Sequence, residues 1–372
     1  MGLLHFYIDF ACHFYAFGLL APQYPGRLTE LFLAYNFIAF ALQCPIGYFV
    51  DRINRKFFMG VGMGIGLVCL YQGYAAGTKL NWPVVGLICC ALGNAFIHAV
   101  GSRAVMEKSR RGLMGGGIFI AFGALGVGLG DYLGITLEHS FDRLLVWLIE
   151  AFMLPFLAYG VINIKKARET GVLGSEDIRV SLDGNDMICL IMCLFAVLVR
   201  SYVGFILPNT FKELIVTDTM ETGGLLEAMF PSVPGFLGKA AGGVLVVILM
   251  RLFNGKDLRK MNYRYGIFAL FAAGLCLCAG GEEPVCVLIG TVLFHSLMPV
   301  TLYEIYCILH KNPAFSLGLT TLMLFAGMLP ALLYKPDDGQ QRILIAAFCG
   351  TALMALAIGY RACSKKNEED AR

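Results

Sequence analysis

Three residues near the start of the chain, His5, Asp9 and His13, recur every fourth position in an otherwise apolar segment. In a helix that spacing stacks them on one face, with Asp9 about 13 Å along the axis at a rise of ~1.5 Å per residue. A carboxylate flanked by imidazoles can take up and release a proton near neutral pH, which is the chemistry needed to couple a process to a proton gradient. A second set is cationic. Arg200 and Lys239 sit inside later apolar segments, and two cations in such surroundings invite an anion: arginine binds carboxylate or phosphate as a bidentate fork, and lysine adds a mobile point charge. The alternative is internal neutralisation by Asp9, Asp131 or Glu150. Asn36, Asn94, His98 and His295 are further polar residues within apolar runs. Each is a candidate substrate contact, against the plainer role of an interhelical hydrogen bond.

The segments that must position these groups belong in a bilayer. Of 372 residues, 58% are hydrophobic and only 15% charged, and the mean hydropathy is +0.71, which excludes an ordinary soluble domain. Apolar runs of about 20 residues, the length that spans hydrocarbon as a helix, occur twelve times, the first over 1–20 and the eighth over 232–252. The expected fold is an all-α membrane protein of twelve transmembrane helices in two six-helix halves. The halves are 1–163 and 187–361, joined by a polar linker over 164–186 and followed by a tail over 362–372. Assigning alternate loops to opposite sides places 21 lysines and arginines on one side and 6 on the other. That bias predicts an inner or plasma membrane protein with both termini cytoplasmic. The basic residues thus report topology, and with a net charge of only +3 no nucleic-acid partner is expected. The first run opens at Met1 without a basic leader and reads as a retained helix. The 13 cysteines fall mostly in apolar runs, without the spacing of a zinc or iron–sulfur site, and are read as packing residues; no metal is expected.

Between the second and third runs lies Gly47-Tyr48-Phe49-Val50-Asp51-Arg52-Ile53-Asn54-Arg55-Lys56. These charges force the chain to surface and turn. A plain turn needs basic residues but not a glycine and an aspartate at fixed offsets. The pattern Gly-x-x-x-Asp-Arg-x-x-Arg-Lys resembles the signature of the major facilitator superfamily. The resemblance implies a gate in which Gly47, Asp51, Arg52 and Arg55 cap helix ends and latch the cytoplasmic side. A second copy is expected after the eighth run. There Gly238-Lys239-Ala240-Ala241-Gly242-Gly243 is followed by Arg251 with no aspartate, so a symmetric two-sided latch does not follow. The fifth run carries glycines at 115–117, 123, 126, 128, 130 and 134, suited to close helix approach. It has no proline of the kind associated with antiporters of that superfamily. Short strings, His5-x-x-x-Asp9, Gly93-Asn94-Ala95-Phe96-x-His98 and Arg200-Ser201-Tyr202-Val203-Gly204-Phe205, are similar to bacterial fosmidomycin-resistance exporters, which implies small anionic solutes or drugs.

The expected function is secondary active transport of a small organic anion by alternating access around a midplane site, coupled to protons and set among membrane lipids, by a monomer without a cofactor. Substrate contacts would be Arg200, Lys239, His98, Asn94, His295 and Asn36, and proton coupling would use Asp9, His5 and His13. No phosphate-binding Gly-x-x-x-x-Gly-Lys-Ser/Thr loop exists for ATP hydrolysis, and no cluster of nucleophile and base suggests an enzyme. The alternatives are a multidrug exporter of the same superfamily and a non-transporting membrane sensor.

Overall fold

The computed structural model of the chain describes residues 1–108, 112–137, 143–169, 182–216, 233–252, 258–279, 283–309, 312–334 and 336–369. Most of the linker expected over 164–186, and the last three residues of the tail, lie outside them. In hydrocarbon each backbone N–H and C=O must be satisfied within its own segment, and helices do this. The described residues form long helices and no strand. In chain order they are α1 (Gly2–Gln23), α2 (Leu28–Val50), α3 (Arg55–Thr78), α4 (Pro83–Lys108), α5 (Gly112–Thr136), α6 (Arg143–Glu169), α7 (Gly184–Val216), α8 (Val233–Leu252), α9 (Leu258–Ala279), α10 (Pro284–Ile308), α11 (Pro313–Leu333) and α12 (Asp338–Glu369). Eleven are long and apolar enough to cross a membrane, whereas α8 contributes a shorter apolar stretch, Leu237–Leu249. Single π-turns interrupt α1 at Ala16–Leu20 and α2 at Phe37–Ala41.

Two compact units are distinguished. The first comprises Met1–Lys108, Phe122–Arg179 and Lys311–Leu322; the second comprises Ser109–Ala121, Val180–His310 and Met323–Arg372. In the first, α4 packs against α1, α2 and α3, and α3 also packs against α6. Its core buries Leu4, Ile8, Phe14, Tyr15, Met63, Leu67, Leu70 and Tyr74. Buried tyrosines complete their hydrogen bonds on backbone carbonyls of neighbouring helices: Tyr74 Oη donates to Ala11 O at 2.7 Å and Tyr15 Oη to Pro83 O at 2.9 Å. In the second unit α7 packs on α10 and α12, and α10 on α8 and α9.

Glycines set the closest approaches. A Cβ added to Gly126 would strike the Phe6 carbonyl oxygen and stand 3.0 Å from its carbon, and one on Gly130 would lie 2.6 Å from Phe10 O. In this way α5 lies backbone to backbone on α1, the mode that small residues permit inside a membrane. The second unit repeats the device where Gly117 of α5 meets Gly243 of α8, since a Cβ on Gly117 would be 2.7 Å from Gly243 O.

Gly126→Ala should therefore destabilise the protein by about 1–3 kcal/mol, the cost of forcing a methyl group into a filled interface. Gly64→Ala, with nothing within 4 Å of the added carbon, should be neutral or slightly stabilising. Thermal unfolding of the two variants in detergent checks the contrast, and equal melting temperatures would contradict the packing.

Candidate functional site

In the first unit the acid–base residues of α1 converge with two residues of α4. The His5 Nε2 atom lies 3.0 Å from Asp9 Oδ2 and 2.7 Å from His98 Nε2. His98 Nε2 is also 3.7 Å from Asp9 Oδ1, which accepts a hydrogen bond from Asn94 Nδ2 at 2.8 Å. Asp9 is only 7% exposed, and both imidazoles 6%. The other ring nitrogen of His98, Nδ1, lies 3.0 Å from Asn94 O. A carbonyl can only accept, so a proton resides on Nδ1, and the ring turns its Nε2 towards His5 and Asp9. Gly123 of α5 closes the cluster: a Cβ there would collide with the His5 ring and stand 2.8 Å from Asp9 Oδ2.

One turn further along α1, His13 Nδ1 pairs with Asp131 Oδ1 at 2.7 Å. This pair is half-buried, and His13 also borders a small cavity that Phe17, Leu31 and Tyr35 help to line. The helical stripe His5–Asp9–His13 therefore carries two histidine–carboxylate contacts, an inner one shared with α4 and an outer one shared with α5.

The charged turn between α2 and α3 is built around Asp51, which is fully buried. Its carboxylate accepts from Ala314 N at 3.2 Å and Phe315 N at 2.8 Å, the free amides at the start of α11. A helix N-terminus presents unsatisfied donors and partial positive charge, which a carboxylate neutralises. Gly47, one turn earlier, makes room: a Cβ there would lie on the Ala314 backbone. Arg103 of α4 donates to Val50 O, and to Ile53 O at 2.6 Å, and its Nε is 4.0 Å from Asp51 Oδ1. Arg52 stacks 3.5 Å above the Tyr48 ring, and Arg55 reaches Ala104 O at 3.4 Å. Asn54 caps α3 by accepting from Lys56 N at 3.0 Å and Phe57 N at 3.2 Å.

The second unit holds the cationic group. Arg200 of α7 is 7% exposed; its Nη2 contacts Met298 Sδ at 2.7 Å, and its Nε has no hydrogen-bond partner among the described residues. His295 of α10 is buried, and its Nδ1 likewise lacks a partner. Its ring lies within electrostatic reach of both Lys239 and Arg200. Lys239 itself is exposed. Arg200 borders a small cavity whose other walls include Phe294, Leu297 and Thr301 and contain no carboxylate.

The candidates thus separate. Asp9, His5, His98 and Asn94 share one first-unit cluster; Arg200, Lys239 and His295 group in the second. Asn36 donates to Phe32 O of its own helix at 2.7 Å and joins neither. The three carboxylates that could have neutralised the cations are engaged in the first unit, Asp9 by His5, Asp131 by His13, and Glu150 by Lys79 at 4.0 Å. Sequence reasoning counted Arg103 only as a topological charge, because nothing in the chain links it to a turn fifty residues earlier. Glu304, whose place near a helix end favours a pairing role over a binding one, accepts from Arg259 Nε at 3.2 Å and Asn262 Nδ2 at 2.7 Å, partners that the sequence does not identify.

Residues 6–331 match the sequence profile of the Major Facilitator Superfamily. Among solved structures the chain is similar to the human organic anion transporter MFSD10 (TETRAN), at 13% identity over 96% of this chain and 98% of that one, with a TM-score of 0.68. A bacterial homologue of the iron transporter ferroportin, in its outward-facing state, matches at 14% identity over 98% of both chains, with a TM-score of 0.65. The Escherichia coli fucose:proton symporter FucP matches at 14% identity over 97% of this chain and 96% of that one, with a TM-score of 0.58. No curated protein matches by sequence.

Asp51→Asn keeps the shape of the side chain but removes the charge that meets the α11 amides, an effect of about 0.5–2 kcal/mol by the usual worth of a helix cap and its dipole. Hydrogen–deuterium exchange of the segment beginning at Pro313 should accelerate by about 2–30-fold, the equivalent of that energy, and Asp51→Ala should accelerate it further. Unchanged exchange in both would remove Asp51 from this role.

Proposed function

The chain belongs to the Major Facilitator Superfamily and is a membrane transporter, not an enzyme; on that premise we propose that it moves a small organic anion across the inner or plasma membrane by alternating access, coupled to protons. The observation that carries the substrate class is the guanidinium of Arg200. It is a buried cation whose Nε–H has no acceptor among the described residues, and an unmet charged donor costs more than a neutral one. A carboxylate or phosphonate supplies what this group lacks, in the bidentate form that arginine favours. His295, also buried with an unmet ring nitrogen, and Lys239 complete a positive field around it. One structural neighbour is an organic anion transporter and another a proton symporter, so the fold supports both halves of this reading without selecting either.

Coupling is assigned to the α1 face that carries His5, Asp9 and His13. The exchangeable proton belongs to the His13–Asp131 pair, which is half-buried beside a cavity. Both termini are placed in the cytoplasm by the lysine and arginine bias. The turn holding Gly47, Asp51, Arg52 and Arg55 then lies on that side, where the Asp51 cap on α11 is the contact to be made and broken during the cycle.

Flux of a panel of small carboxylates and phosphonates into proteoliposomes, with and without an imposed pH gradient, tests the proposal. Arg200→Gln should raise the half-saturating anion concentration by about 10–100-fold, the loss of one charge-assisted interaction. Asp131→Asn should retain downhill flux but lose accumulation driven by acidifying the substrate side. Transport of cationic or neutral drugs in preference to every anion would sink the substrate class, and gradient-driven accumulation intact in Asp131→Asn would sink the coupling assignment.

A further inference from the structure

The inner cluster of α1 has more donors than a proton requires. His5 Nε2, His98 Nε2 and the Asp9 carboxylate converge from two helices, with all three ligand atoms within 4.8 Å of one another. We propose that His5, Asp9 and His98 form a binding site for one divalent first-row transition-metal ion. The inference goes beyond the transport reading and stands independently of it.

Geometry is the first argument. Around a tetrahedral ion with bonds of ~2.0–2.1 Å, ligand atoms stand about 3.3 Å apart. The two imidazole nitrogens stand 2.7 Å apart, and the carboxylate lies 3.0 Å from His5 Nε2 through Oδ2 and 3.7 Å from His98 Nε2 through Oδ1, so both rings and the carboxylate are already near the spacing an ion requires.

Orientation is the second. The His98 Nδ1–H donates to Asn94 O, which fixes the ring with Nε2 facing the cluster. The Asn94 side chain holds Asp9 Oδ1. Metal-binding histidines and carboxylates are held by such outer partners, a backbone carbonyl on the far ring nitrogen above all. Here one asparagine supplies both contacts, one through its carbonyl oxygen and one through its side chain.

Charge and ligand type are the third. Once the proton on His5 Nε2 has moved to Nδ1, two neutral imidazoles and one carboxylate carry a net charge of −1, and a divalent ion brings the buried group to +1. Nitrogen ligands favour zinc, cobalt, iron and nickel over magnesium and calcium, which prefer oxygen. Three protein ligands leave at least one position open to water or solute, the mark of an exchangeable ion and not of a closed structural centre.

The test is equilibrium binding of Co²⁺ to the purified full chain in detergent, on a tag without histidines, followed by the visible absorption of four- or five-coordinate cobalt. One ion per chain is expected, displaced by Zn²⁺ but not by excess Mg²⁺ or Ca²⁺. Asp9→Asn and His98→Ala should weaken binding by at least about 100-fold and Asn94→Ala by about 10–100-fold, since outer partners alone account for the latter range. His98→Cys should retain the ion and add a sulfur-to-cobalt charge-transfer band, a signature that misfolding cannot create. No cobalt spectrum in the wild type, or binding undiminished in both Asp9→Asn and His98→Ala, overturns the proposal. Because binding is read without flux, neither result depends on what the protein transports.

Discussion

A carboxylate enclosed by apolar helices must be met by donors from elsewhere in the chain, and Asp9 imposes that requirement on the whole first unit. Its own helix supplies only His5, one turn away. The remaining partners, Asn94 and His98, are a turn apart on α4, so α1 and α4 can pack only in the register that delivers both. The glycines of α5 follow from the same requirement, because a side chain at Gly123 would occupy the space of His5 and Asp9. Charge satisfaction and helix spacing are here a single constraint, and an interior charge left unmet in a membrane is costly enough to enforce it.

Asp51 shows the same logic with backbone in place of side chains. The free amides at the start of α11 need an acceptor, and a buried carboxylate needs donors; each meets the other's need. Arg103 then fixes the turn from the opposite side by holding the carbonyls of Val50 and Ile53. Arg200 departs from the pattern, for its Nε is left without a partner in the described structure.

Much of this was legible in the chain. Twelve apolar runs follow from hydropathy alone, because a helix must cross ~30 Å of hydrocarbon, and the i, i+4 stacking of His5 with Asp9 follows from helical geometry. The His13–Asp131 pair was not legible, since periodicity says which face of α1 is polar but not which helix faces it. For the same reason His98 and Asn94 read as isolated candidates for substrate contact, although they belong with Asp9. The weaker eighth run is a different case. Lys239 and a cluster of small residues dilute its hydropathy, and its apolar stretch, Leu237–Leu249, is short.

The missing aspartate of the second gate motif shows how a repeat can change its residues and keep an ion pair. In the first unit the turn after α2 provides a carboxylate, Asp51, and α4 provides the arginine, Arg103. In the second unit the arginine, Arg259, stands at the start of α9, and α10 provides the carboxylate, Glu304. Arg103 and Glu304 each lie 20 residues past the proline that opens their helix, so the two pairs occupy comparable places with the charges exchanged. Coulomb attraction is indifferent to which partner carries which sign, but a helix N-terminus is not: only the carboxylate of Asp51 can accept from backbone amides. The exchange preserves the ion pair within the second unit while placing its carboxylate on a helix, where Glu304 is satisfied by Arg259 and Asn262. That is a reason for the cap on α11 to depend on Asp51, whose motif the second half of the chain does not repeat.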